Sequence, residues 1–237
     1  MSETQRQIIL DTETTGLHAF AAENPDRLIE FAGLEMVNRQ FTDNNLHLYV
    51  HPERDIPEEA IAVHGITLAQ LEDKPVFAQV AQQIFDFLKG AELIIHNAPF
   101  DVGFLNAEFA RVGLPEIGTV CKITDTLSMA REMYPGQKAS LDALCTRLGV
   151  DRSRRVLHGA LIDCELLGGV YLAMTRGQFS LVEETEPQKQ QVAIQNTVTT
   201  RPEYLKIVRA DANELVAHEA YLDGLDKESG GSIYRIV

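Results

Sequence analysis

The chain has no tryptophan, only three cysteines and no long apolar run, and each shortage narrows what its 237 residues can be. Cys121, Cys145 and Cys164 are odd in number and form no CxxC pair. That excludes a disulfide framework and a cysteine zinc site, and points to a reducing compartment, the cytoplasm. No apolar stretch approaches the roughly 18 residues that cross a bilayer, and MSETQRQ lacks a basic-then-apolar leader, so no membrane association is expected. Basic residues are also short: 21 Lys and Arg face 35 Asp and Glu, a net charge of −14. Fifteen basic and twenty-five acidic residues lie up to Arg176, six and ten after it, so neither part is basic. The overall field repels a polyanion. Nucleic acid as a substrate would need a local site or a partner.

What is present reads as an α/β domain followed by a different kind of chain. Strands are expected at 6–11 (RQIILD), at Leu28–Val37 and at 46–51, with NRQFTDNN as the hairpin connection. Val76, Val80, Ile84, Phe85 and Leu88 then recur at helical spacing up to Gly90. ELII (92–95) is a further buried strand, 100–112 a helix, and 119–126 a short strand. Helices near 127–133 and 140–148 precede a long apolar helical face over 157–175. The order gives a mixed sheet of about five strands, antiparallel at first and parallel later, flanked by helices. Beyond Thr175 the composition turns polar and Gln-rich, so 1–176 is read as one domain and 177–202 as a flexible linker. In 203–237, Leu205–Val208 is strand-like, and Asp211 with Glu214 has capping-box spacing before Leu215, Val216, Tyr221, Leu222 and Leu225. About 35 residues bury little alone, which favours a segment that docks on another protein.

The chemistry sits in carboxylates at element ends. Asp11 and Glu13 close the first strand two residues apart, so alternation puts both on one face, roughly 6–7 Å apart. Such a pair raises both pKa values unless a cation lies between them. Asp101 follows HNAPF where a helix begins, at the strand ends where α/β sheets gather ligands; a helix-capping role is the ordinary alternative. In LHGALIDCELL, His158 and Asp163 would stand about 140° apart on one continuous helix. Gly159 resolves this by leaving His158 in the entering loop, with Asp163 on the second turn. A loop histidine suits a proton acceptor. Four carboxylates without a Cys or His cluster favour Mg²⁺ or Mn²⁺ over Zn²⁺. Two such ions about 4 Å apart activate water and stabilise a leaving oxygen in phosphodiester cleavage, and they invert the local field that a phosphate meets.

DTETTG (11–16), HNAPFD (96–101) and HGALID (158–163), in that order, closely resemble the DEDDh family of 3′–5′ exonucleases, with ribonuclease H-like folds. Within it the likeness is to the proofreading subunits of bacterial replicative DNA polymerases. It extends through VHGIT (63–67), SLDALC (140–145) and AHEAYLD (217–223). The resemblance implies Asp11, Glu13, Asp101 and Asp163 as metal ligands for two ions and His158 as general base. It also implies Thr14, Glu59, His64 and Asn97 around the terminal nucleotide, alongside Asp11 and Glu13. Those four have ordinary alternatives: turn satisfaction for Thr14, a cap or solvated residue for Glu59, a loop residue for His64, a turn former for Asn97. The expected substrate is a single-stranded or mispaired DNA 3′ end, released as nucleoside 5′-monophosphates. The expected partners are the polymerase catalytic subunit through the C-terminal segment and a small accessory subunit on the exonuclease domain. Gln178, Phe179, Ser180, Leu181 and Val182 resemble a sliding-clamp peptide, though Glu183 stands where an aromatic would anchor it, so that contact is expected to be weak. Two rivals stay open: an RNA 3′-exonuclease, and a polymerase-bracing module that has lost catalysis.

Overall fold

The computed structural model describes residues 6–153, 155 and 157–176, and in the C-terminal part 212, 215, 216, 218–220, 222 and 223. The chain divides into two compact units, 1–187 and 188–237. The first is built on a five-stranded sheet in the order β3-β2-β1-β4-β5. β1 (Arg6–Thr14), β2 (Leu28–Val37) and β3 (Gln40–Tyr49) are antiparallel neighbours. β4 (Glu92–Ile95) and β5 (Lys122–Asp125) join on the other side of β1, all three parallel. The antiparallel-then-parallel order is the one expected.

Alternation along β1 divides the core. Ile8 and Leu10 pack with α3 (Phe77–Leu88) and α4 (Ala98–Arg111) on one face. Ile9 packs with α6 (Leu141–Leu148) and α7 (Ala160–Met174) on the other. α7 is apolar nearly all round because it is wedged between the sheet and α6; at Gly168 the ring of Phe41 comes so close that a Cβ has no room. Asp125 starts α5 (Thr126–Met133) by accepting the Leu127 N–H at 3.0 Å. Ser140 starts α6 by accepting the Ala143 N–H.

Several expectations change. Only the first two residues of NRQFTDNN form the hairpin connection. Asn38 and Arg39, at φ 50° and 66°, form a two-residue turn and β3 begins at Gln40. Its polar residues suit an exposed edge strand, and Thr42 and Asn44 hydrogen-bond Glu35 of β2. Two short helices, α1 (Glu58–His64) and α2 (Leu68–Leu71), were not anticipated. Asp163 lies in the first turn of α7, not the second, because Gly159 is the N-cap. The linker, the clamp-like peptide at Gln178–Val182 and the strand at 205–208 fall outside the described residues. In the second unit, residues 212, 215, 216, 218–220, 222 and 223 are helical; Leu215 and Val216 are exposed and Leu222 is buried. No helix among the described residues is long and apolar enough to cross a membrane.

Candidate active site

β1 and β4 run parallel; β4 ends at Ile95 opposite Leu10, while β1 runs on to Thr14 and pairs antiparallel with β2. A cleft of about 730 Å³ opens at this end of the sheet. Asp11, Glu13, Thr14, Glu59, His64, Asn97, Asp101, His158 and Asp163 all line it. Residues nominated from four separate stretches of sequence therefore share one cavity.

Each element delivers its side chain for a local reason. Asp11 and Glu13 follow Ile9 on the α7 face of β1, whereas Thr12 faces α4. There the Thr12 hydroxyl donates to Asp101 Oδ1 at 2.7 Å, joining residues 89 apart in sequence. β4 stops at Ile95, Asn97 takes a left-handed backbone (φ 68°), and α4 begins at once, putting Asp101 in its first turn where the helix dipole favours a carboxylate. His158 stands outside α7, as Gly159 required, and its Nδ1 lies 3.2 Å from Asp163 Oδ2. The His158 backbone N–H donates to the Val63 carbonyl at 3.1 Å, docking its loop on the end of α1.

The outer four sit differently. The Thr14 hydroxyl donates to the Gly16 carbonyl at 2.6 Å, so its ordinary turn role is real. Glu59 and Asn97 are exposed at the cleft wall. His64 is buried; its Nδ1 accepts the Ile66 N–H at 3.0 Å, while Nε2 has no hydrogen-bond partner among the described residues. Burial also holds the His64 pKa below its ordinary value.

The electrostatics are those of a cage for cations. Burial, then the charges of Asp101, Glu13 and Asp163, push Asp11 well above the ordinary carboxylate range. Burial raises Glu13 to about 8, aided by Glu30, Asp163 and Asp101, with Arg155 offsetting in part. Burial raises Asp101 to about 7, against the hydrogen bond from Thr12. Among the described residues no salt bridge reaches Asp11, Glu13 or Asp101. Ligand atoms of Glu13, His158 and Asp163 lie within 4.8 Å of one another, close enough for one ion. This oxygen-rich donor set, with Arg155 as its one counter-charge among the described residues, fits hard divalent cations.

Two participants were missed. Glu30 of β2 pairs in register with Glu13, accepts the Ala160 N–H at the start of α7 (3.2 Å) and meets His47 Nε2 at 2.7 Å. Only the strand register could have found it. Arg155 donates to both Asp163 oxygens, at 2.5 and 2.7 Å, and lies 2.7 Å from His158 Nδ1. Its place three residues before His158 is the one sequence clue.

Comparison with known proteins shows the family. Residues 8–171 match the exonuclease family model. The chain is 51% identical to DNA polymerase III subunit epsilon of Pasteurella multocida over 98% of this chain and 94% of that one. It is 46% identical to the subunit of that name in Escherichia coli K12, over 97% of both. Among solved structures, exonuclease X in complex with a 5′-overhanging duplex DNA aligns at TM-score 0.55 and 27% identity, over 73% of this chain and 93% of that one. Escherichia coli exonuclease I with a dT13 oligonucleotide, at TM-score 0.65 and 18% identity over 76% and 43% of the two chains, shares the ribonuclease H-like fold. The chain belongs to the exonuclease family, in its DEDDh branch together with the epsilon subunits of DNA polymerase III.

Proposed function

We propose that the chain proofreads newly made DNA as a subunit of a replicative polymerase, hydrolysing the last phosphodiester of a single-stranded or mispaired 3′ end. The observation that carries this is the convergence of Asp11, Glu13, Asp101 and Asp163 with His158 in one cleft. In this reading the four carboxylates hold two ions, Mg²⁺ or Mn²⁺, which supply water activation and charge stabilisation on the departing oxygen when bound. His158, half exposed and hydrogen-bonded through its backbone to α1, takes the proton of the attacking water. The water oxygen forms the new bond to phosphorus, the bond to the 3′ oxygen breaks, that oxygen regains a proton, and a nucleoside 5′-monophosphate leaves. The exposed Glu59 and Asn97, the buried His64 and Thr14 surround the terminal nucleotide. Selectivity needs little base reading, because an unpaired end costs less to unstack and deliver.

The same reading gives 1–176 as the nuclease domain, 177–202 as the connection and 203–237 as the segment that docks on the polymerase catalytic subunit. A small accessory subunit binds the nuclease domain, Gln178–Val182 touches the sliding clamp weakly, and the protein works in the cytoplasm. Exposed Leu215 and Val216 on a helical stretch support the docking role.

Incubation with a 3′-mispaired DNA primer tests the reaction. Stepwise shortening is expected with Mg²⁺ and none with chelator. Asp11→Ala and Asp163→Ala should each abolish it, and wild-type rates in either variant would sink the assignment. Matched RNA and DNA oligomers decide between the substrates. Removing 177–237 should leave cleavage intact while polymerase association is lost.

A further inference from the structure

Among the described residues, Asp163 is the one carboxylate of the cage already engaged by a cation of the chain itself. Arg155 reaches both of its oxygens, and the same guanidinium lies 3.0 Å from Asp142 Oδ1 on α6 and 2.7 Å from His158 Nδ1. The Arg155 side chain is only 10% exposed while that of His158 is 49% exposed. A nearly buried cation thus grips a predicted ligand and the predicted base together, and Asp142 offers it a second anchor outside the cleft.

A two-pronged guanidinium–carboxylate pair is geometrically exacting. It fixes the orientation of Asp163 and occupies hydrogen-bonding capacity on the atoms an ion would use. It also places a positive charge beside any ion held by Asp163, and like charges at that range repel appreciably at a partly buried site. We propose that Arg155 is a positioning residue that aims Asp163 and His158 and, at the same time, competes with the divalent ion for Asp163. Metal affinity at this site is then deliberately moderate: the ion must share Asp163 with Arg155, and Asp142 retains the guanidinium. The inference rests on the two-ion reading of the cleft given above.

The test is titration of the full chain with Mn²⁺ alone, without DNA, followed by calorimetry and by the rise in melting temperature. Arg155→Gln removes the charge and should bind Mn²⁺ roughly three- to tenfold more tightly, the effect of one cation on an ion at a partly screened site. Its melting temperature without metal should fall, and its gain on adding metal should exceed that of the wild type. Arg155→Lys keeps the charge and loses the fork, so its Mn²⁺ affinity should lie between the two; it also serves if the glutamine variant fails to fold. Equal or weaker Mn²⁺ binding in these variants overturns the inference, since a purely structural arginine can only loosen the ligands. If the wild type itself binds no Mn²⁺, the two-ion reading fails instead.

Discussion

Two carboxylates on the same sheet, both with little surface exposed, behave in opposite ways. Glu92, 7% exposed at the start of β4, and Glu13, 9% exposed at the end of β1, both suffer desolvation. Around Glu92 that effect is outweighed by hydrogen bonds from Lys122, Thr124 and Gln7, and its pKa falls below the ordinary value. Glu13 finds Glu30, Asp163 and Asp101 instead, and rises to about 8. One end of the sheet is finished with its own counter-charges and the other is left open to supply from outside. Burial alone therefore says little about a carboxylate. Its neighbours decide whether it stabilises the fold or waits for a ligand.

The contrast can be broken at several points. His158→Ala should cut the cleavage rate by roughly 10²- to 10⁴-fold at saturating metal, the range for a general base, with Mn²⁺ binding much less affected. A larger loss in metal affinity than in rate would make His158 a ligand. Next in size is Glu30→Ala, which strips partners from the Ala160 N–H and His47; a stability loss of about 1–3 kcal/mol is expected in chemical denaturation. The open end should also show in pH dependence. Glu13 and Asp101 hold protons in the fold up to about 8 and about 7, whereas the unfolded chain releases them near the ordinary values of 4.5 and 3.8. The folded state binds more protons across that window, so without metal the melting temperature should decline as pH rises through it. Mg²⁺ should offset the decline, most strongly at the alkaline end; a metal-free profile that climbs with pH contradicts the cage. Smallest is Lys122→Met. Its side chain is 71% exposed, so losing the pair with Glu92 should cost under about 1 kcal/mol and leave cleavage unchanged.

Much of this was legible in the chain. Strand alternation put Asp11 and Glu13 on one face, and Gly159 kept His158 off α7, because both rest on local backbone geometry. The beginning of β3 was hidden, since an edge strand tolerates polar residues that imitate a loop. α1 and α2, with 7 and 4 residues, are too short to show periodicity. Glu30 takes its role from strand register and Arg155 from packing between elements, and the short spacing of Arg155 from His158 alone does not reveal it.

The bond from Thr12 to Asp101, and the span from Asp11 on the first strand to Asp163 on the last helix of the nuclease unit, have a consequence during synthesis. A nascent chain carries only part of the cleft's carboxylates until α7 has left the ribosome and docked. On the proposed reading of the cleft, destructive power over the genome is thereby withheld from fragments and granted only to a finished fold.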